Sequence, residues 1–208
     1  MINEKPFSPS CERNKEAILE ILKLYIKDEP SKLLEIGSGT GQHAVYLSRF
    51  FPKLEWYCSD LKDKHSGIEI WLEDEINERE QNLMEKNLQE IYSYEVLKDS
   101  FPGGDFNYLF TANTFHIMSL QHVLHLIKDA GENLSVNSLF IVYGPFNYAG
   151  HFTSESNAQF ELWLKDRNPL SGIRDFEAVC ETMSVNGFEL LVDHEMPANN
   201  RTLVFKKI

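Results

Sequence analysis

A chain of 208 residues, 42% hydrophobic and 12% aromatic, is long enough to enclose a core of its own and reads as a single domain over residues 1–208. With 20 basic residues against 32 acidic ones its formal charge is −12, and no basic stripe of the kind phosphate backbones require is present, so a nucleic-acid partner is excluded in favour of a small or uncharged one. No apolar run approaches the ~18 residues of a membrane span, the N-terminus lacks a basic start followed by an apolar core, and Cys11, Cys58 and Cys180 are too few and too scattered for a disulfide or zinc framework, so the expected location is cytoplasmic, without membrane or metal.

In chain order, Ser8 followed by Pro9 is a helix start, with the hydroxyl as cap and proline at the first helical position. Ala17, Ile18, Ile21, Leu22, Leu24 and Tyr25 recur at helical spacing up to Lys27, and Asp28-Glu29-Pro30 stops the helix. Residues 1–30 are thus expected to form an N-terminal helix able to lie over a ligand cleft. Arg13 and Asn14 can reach a substrate's carboxylate or amide from it, or serve as ordinary first-turn surface residues.

Leu33-Leu34-Glu35-Ile36 then runs into Gly37-Ser38-Gly39-Thr40-Gly41, and an amphipathic segment starts at once: strand, tight turn and helix within one short span. A turn leaving a parallel strand needs positive φ and close approach of backbone to ligand, which glycine permits. The spacing is G-x-G-x-G, not the G-x-G-x-x-G of a dinucleotide site, which sets an NAD-dependent oxidoreductase aside, and no Gly-Lys-Ser/Thr of a P-loop follows. Glu35 adds a negative charge that opposes a pyrophosphate and suits a cationic ligand. Leu54 to Ser59 reads as the next strand, and Asp60 closes it 19 residues beyond Gly41, where a carboxylate can accept two ribose hydroxyls or merely cap the following turn.

From Leu61 to Glu90 the pattern predicts a long helical region with Ile68, Trp71, Leu72 and Ile76 on one face and Glu73, Asp74, Glu75, Glu78 and Glu80 on a solvated one. Ile91 to Leu97 is a weakly signalled third strand. Phe106 to Asn113 is the fourth; Thr114-Phe115-His116-Ile117 leaves its carboxyl end, the edge at which ligands of open α/β sheets bind. Asn113 and His116 are therefore candidate site residues, His116 either as a general base or as a hydrogen-bonded wall. Leu120 to Ala130 is a helix; its His122 and His125 have no third ligand at zinc spacing. Ser138 to Tyr143 is a fifth strand entering Gly144-Pro145-Phe146, so Tyr143 and Phe146 either wall an acceptor pocket or pack the loop. Helices over 153–165 and from Ile173 to about Asn186, then strands 188–192 and 201–206 around a turn at 196–200, complete an alternating β-α series that closes with a hairpin.

Glu35-Ile36-Gly37-Ser38-Gly39-Thr40-Gly41 resembles motif I of the class I methyltransferases that use S-adenosylmethionine (SAM). The resemblance implies a Rossmann-like α/β fold, with a seven-stranded, mostly parallel sheet whose last strand is antiparallel and helices on both faces. It also implies a glycine loop against the methionine and ribose of the cofactor, with Asp60 on the ribose hydroxyls. Near the third strand's end, Glu95 or Asp99 would meet the adenine; Glu95 stands where aspartate is expected. More narrowly, Ser8-Pro9 with Glu12-Arg13-Asn14-Lys15, Ala112-Asn113-Thr114-Phe115-His116-Ile117, Tyr143-Gly144-Pro145-Phe146, Ser156-Asn157-Ala158-Gln159-Phe160, Gly172-Ile173-Arg174-Asp175-Phe176-Glu177 and Met196-Pro197-Ala198-Asn199-Asn200 resemble the methyltransferase-like family catalogued as domain of unknown function 938. The implied function is SAM-dependent methyl transfer to a small-molecule acceptor, the alternative being a non-catalytic SAM-binding interaction module. In the first reading Glu35, Gly37, Gly39, Gly41, Asp60, Glu95 and Asn113 hold the cofactor, Arg13, Asn14 and Phe146 border the acceptor, and His116 and Tyr143 serve catalysis. Oligomeric state has no signal in the sequence.

Overall fold

The computed structural model describes residues 5–82 and 86–208, which fall into two compact units, one ending at Glu95 and the other beginning at Val96. The first opens with helix α1, Pro9–Tyr25, which starts where the sequence places it: the Ser8 hydroxyl accepts the Cys11 N–H at 3.4 Å, and the Ile26 N–H closes the last turn on the Leu22 carbonyl. Its buried apolar face is Ile18, Leu19 and Leu22. Strand β1 (Ser31–Ile36), helix α2 (Gln42–Ser48), strand β2 (Leu54–Asp60), a 3-10 turn (Lys62–Lys64), helix α3 (His65–Gln81) and strand β3 (Leu88–Ser93) follow. β1 pairs parallel with β2, setting Glu35 beside Cys58, and β2 pairs parallel with β3. Leu33, Leu34, Leu54, Trp56 and Ile68 are at most 1% exposed, the continuous apolar burial expected of parallel strands covered on both faces.

The long helix expected over 61–90 is not formed as such. It starts at His65, after the 3-10 turn, and ends at Gln81; residues 83–85 of that span lie outside the described residues. β3 accordingly lies three residues earlier than the strand expected at Ile91. The reason is Asn87, whose side-chain amide donates to the carbonyls of Ser48, Phe51 and Leu54 and so pins the chain at the start of β3. Glu75, expected on a solvated acidic face, is turned inward. The buried positions of α3 are His65, Ile68, Leu72, Glu75 and Arg79, a regular helical stripe whose last two members are an ion pair.

The second unit contains β4 (Tyr108–Ala112), α4 (Leu120–Asn133), β5 (Leu139–Gly144), β6 (Phe146–Asn147), α5 (Glu155–Arg167), β7 (Arg174–Asp175), α6 (Phe176–Val185), β8 (Phe188–Met196) and β9 (Asn200–Lys207). β4 and β5 are parallel, while β9 runs antiparallel to both β5 and β8. The helix expected from Ile173 begins at Phe176, because Arg174 and Asp175 pair in parallel with Phe146 and Asn147. β8 continues past Val192 to Met196, carried by a register shift between Leu190 and Val192. Seven strands take the order β3-β2-β1-β4-β5-β9-β8, mostly parallel with the last strand reversed, as expected for this α/β fold. Among the described residues no helix is long and apolar enough to cross a membrane.

Candidate functional site

The bend after β1 is built from backbone. Gly37, Gly39 and Gly41 have φ of +70°, +60° and +85°. The N–H groups of Gly37 and Ser38 both donate to the Ser59 carbonyl at 2.9 and 3.0 Å, stitching the bend to the end of β2. Gly39 donates its N–H to Asp60 Oδ2 at 2.7 Å, while Leu61 N–H reaches Oδ1 at 2.7 Å, so the acid lies directly against the bend. A β-carbon on Gly39 would meet nothing within 4 Å, so open space faces the backbone at the tip of the loop. At Gly41 a β-carbon would lie 3.2 Å from Ile68 Cγ2 and 3.4 Å from the Ile68 backbone, in a left-handed conformation besides. Gly41→Ala is therefore expected to cost about 2 kcal/mol, combining αL strain with crowding against α3. Thermal denaturation checks this: a Tm equal to that of the parent protein would show that the bend relaxes freely.

The two carboxylates have different surroundings. Burial raises the pKa of Asp60, and the N–H groups of Gly39 and Leu61 with the Lys64 ammonium draw it back. Each of its oxygens carries one backbone N–H and retains acceptor capacity for a ligand hydroxyl. Glu35 is 1% exposed; Trp56 donates its indole N–H to Oε2 at 3.1 Å, and Cys58 Sγ lies 4.0 Å away. Burial lifts its carboxyl to about 7, Trp56 and Ser38 oppose that shift, and the charge of Asp60 reinforces it. The two acids thus sense one another, each disfavouring the other's charge in the ligand-free protein.

α1 is fastened to the same loop. Gln42 accepts the Ser8 N–H and the Thr40 hydroxyl on Oε1 and returns its own amide to the Ser8 carbonyl. His43 Nε2 lies 2.8 Å from Asn14 Oδ1; burial lowers the His43 pKa to about 4, so the neutral ring donates its N–H to the amide oxygen. Asn14 is accordingly buried against α2, whereas Arg13 is exposed and reaches Ser10 Oγ. Gln42 and His43 carry no signal of this role in the sequence, where they are simply the first two residues of an amphipathic segment. Glu95 lies two residues past β3 and is half-buried.

In the second unit Asn113 follows β4 with φ of +60°, its N–H donated to the Tyr143 carbonyl at 2.9 Å. A left-handed non-glycine residue at the carboxyl edge of a strand is the type of backbone found at ligand sites. His116 is 6% exposed and meets Phe160 edge to face, with ring centroids 5.2 Å apart. Burial, and secondarily the guanidinium of Arg174, lowers its pKa to about 4, so the imidazole is neutral at pH 7. Tyr143 and Phe146 are both buried, 3% and 1% exposed. The structure therefore brings Asn113 and Tyr143 into contact and sets His116 against α5. Phe160 and Arg174, the residues around His116, have no mark in the sequence that would tie them to it.

A family model described as "Protein of unknown function (DUF938)" matches residues 5–207. The chain belongs to that family. Among solved structures the DUF938 chain resembles an O-methyltransferase family protein from Burkholderia thailandensis, at 11% identity and TM-score 0.78 over 95% of this chain and 57% of that one. It also resembles an O-methyltransferase family 2 protein from Planctomyces limnophilus in complex with apigenin, at 12% identity and TM-score 0.76 over 96% and 60%. Human N-acetylserotonin methyltransferase, solved in complex with SAM, aligns at 13% identity and TM-score 0.73 over 95% and 52%. This DUF938 chain thus has the methyltransferase fold and spans a little over half the length of these structures.

Proposed function

We propose that this DUF938 protein is a SAM-dependent methyltransferase acting on a small-molecule acceptor. The observation that carries the reading is the bare-backbone bend of Gly37 to Gly41, with its tip N–H on the Asp60 carboxylate and the buried Glu35 beside it. These residues fit the cofactor: backbone without side chains admits close approach, Asp60 can accept the ribose hydroxyls, and buried Glu35 gains a counter-charge from a ligand bearing an ammonium and a sulfonium. The fold shared with methyltransferases, one of them solved with SAM, supports the same assignment.

The sulfonium supplies a methyl group that is already activated, so the chain has to bind, align and exclude water. Glu35, Gly37, Gly39, Gly41 and Asp60 would hold the cofactor. His116, neutral at pH 7, can accept a hydrogen bond from an acceptor hydroxyl and align it, and Tyr143 and Phe146, both buried, would add apolar walls. A charge of −12 favours a small acceptor over a nucleic acid.

Calorimetric titration with SAM tests the cofactor assignment: Asp60→Ala is expected to weaken binding at least tenfold, a loss of ~1.4 kcal/mol or more. Equal affinity for the two proteins would remove Asp60 from the site. Incubation with methyl-labelled SAM and a panel of hydroxyl, thiol, amine and carboxylate acceptors tests the transfer itself. Tight binding with no labelled product across the panel would favour a non-catalytic SAM-binding module.

A further inference from the structure

The stretch after Asn113 leaves four consecutive carbonyls outside regular structure, and one short segment takes all four. Arg174 donates Nε–H to the Phe115 carbonyl at 3.0 Å, Gly172 donates its N–H to that of His116 at 2.9 Å, Ser171 donates its hydroxyl to that of Ile117 at 2.7 Å, and Arg174 Nη2 reaches that of Met118. Arg174 Nη2 also donates to the Leu170 carbonyl at 3.2 Å, so the guanidinium closes the segment on itself. The segment is in turn tied to α5: Ile173 N–H donates to Glu161 Oε2 at 2.6 Å, and Lys165 bridges the Ser171 carbonyl and Glu161. α5 also carries Phe160, the ring against which His116 stands.

We propose that Arg174 is a positioning residue, which through residues 171–174 fixes the backbone and orientation of His116 and imposes a positive charge beside its ring. Fixing each residue of an irregular loop costs backbone entropy, and a planar guanidinium that spans several carbonyls at once supplies fixed donors against that cost. A lysine presents one point charge and cannot span Phe115, Met118 and Leu170 together. The same cation disfavours the imidazolium of His116 and so holds the ring neutral, with one nitrogen free to accept a hydrogen bond. Glu161 and Asp175 act on Arg174 itself, stabilising its charge against burial.

The value of this arrangement for catalysis rests on the methyltransferase reading above, but its existence is tested without cofactor or acceptor. In the 208-residue chain the imidazole C–H resonances of His116, assigned with His116→Gln, are followed from pH 2.5 to 8, a range that brackets a midpoint near 4, together with exchange of the Gly172 amide; circular dichroism at each pH and Tm confirm folding. Arg174→Gln is expected to raise the His116 titration midpoint by about one pH unit and to speed Gly172 exchange at least tenfold. Arg174→Lys is expected to speed Gly172 exchange similarly while leaving the midpoint near that of the parent protein. If Arg174→Gln fails to fold, Arg174→Lys and Ser171→Ala carry the exchange measurement. A folded variant of Arg174 in which Gly172 exchange stays within twofold of the parent overturns the proposal, as does an unmoved midpoint in folded Arg174→Gln. Failure of SAM to bind would defeat the functional reading and leave these outcomes intact.

Discussion

Glu75→Ala is expected to destabilise the protein by about 3–5 kcal/mol, the loss typical of a buried ion pair that keeps one charge. Glu75 and Arg79 are 3% and 2% exposed. Glu75 Oε1 accepts from Arg79 Nε and from Arg49 Nε, each at 2.7 Å, and Arg79 also donates to Ser48 Oγ and Asn87 Oδ1. Burial works against the charge of Glu75, yet the two guanidiniums hold its carboxyl below the ordinary range. Removing that carboxylate strands the Arg79 cation in the interior and loosens the Asn87 clamp that ends α3 and starts β3. Glu78→Ala is the control, since Glu78 meets Arg49 with 56% of its side chain exposed. It is expected to cost under about 1 kcal/mol. Urea denaturation compares the two, and similar midpoints would show that the inward pair contributes no more than a surface one. Replacing both partners, Glu75→Leu with Arg79→Met, is expected to recover much of the loss.

Glu35→Gln is expected to stabilise the ligand-free protein at alkaline pH and not at acid pH. The folded-state pKa of Glu35 is raised, from 4.5 to about 7, chiefly by burial. Its favourable contribution is therefore complete below the unfolded value and is lost as pH climbs through the window from 4.5 to about 7. Above that window the wild-type protein carries a desolvated charge at a cost on the order of 3 kcal/mol, since each tenfold change in a proton-binding equilibrium corresponds to about 1.36 kcal/mol. Glutamine keeps an oxygen for the Trp56 indole and never ionises. Stability curves of the two proteins should coincide near pH 4.5 and separate by pH 8; a gap independent of pH would show that Glu35 is not buried as a titrating acid. The same substitution is expected to weaken SAM binding at pH 8, because a neutral amide offers no counter-charge. Stability and cofactor affinity therefore move in opposite directions at this one position.

The segment from β1 to Asp60 is legible in the sequence because each level of it agrees: an apolar run, glycines where the backbone turns left-handed, and an acid at the end of the next strand. Asn113 is legible from its place at the carboxyl edge of β4. The tail of α3 is not, because no glycine or proline between Gln81 and Glu90 marks a stop and Asn87 pins the chain there through carbonyls over thirty residues away. Glu75 is hidden among acids that do face solvent, and only the packing of Arg79 shows which one turns inward. Arg174 stands in a stretch that carries the family resemblance, but nothing marks its role, as its partners are main-chain carbonyls more than fifty residues distant, which any side chains would provide equally well. The two-residue pairing of β6 with β7, which delays α6 to Phe176, is too short for any periodicity to reveal.

The indole bond from Trp56 to Glu35 also makes the molecule its own optical gauge. Trp56 is wholly enclosed, while Trp163 is half exposed and Trp71 donates its indole N–H to the Pro6 carbonyl. With phenylalanine at the latter two positions, the remaining emission comes from a chromophore touching the acid beneath the glycine bend. Its colour and yield would then follow the gain or loss of a single proton there, and the arrival of a cation, in real time and without any label.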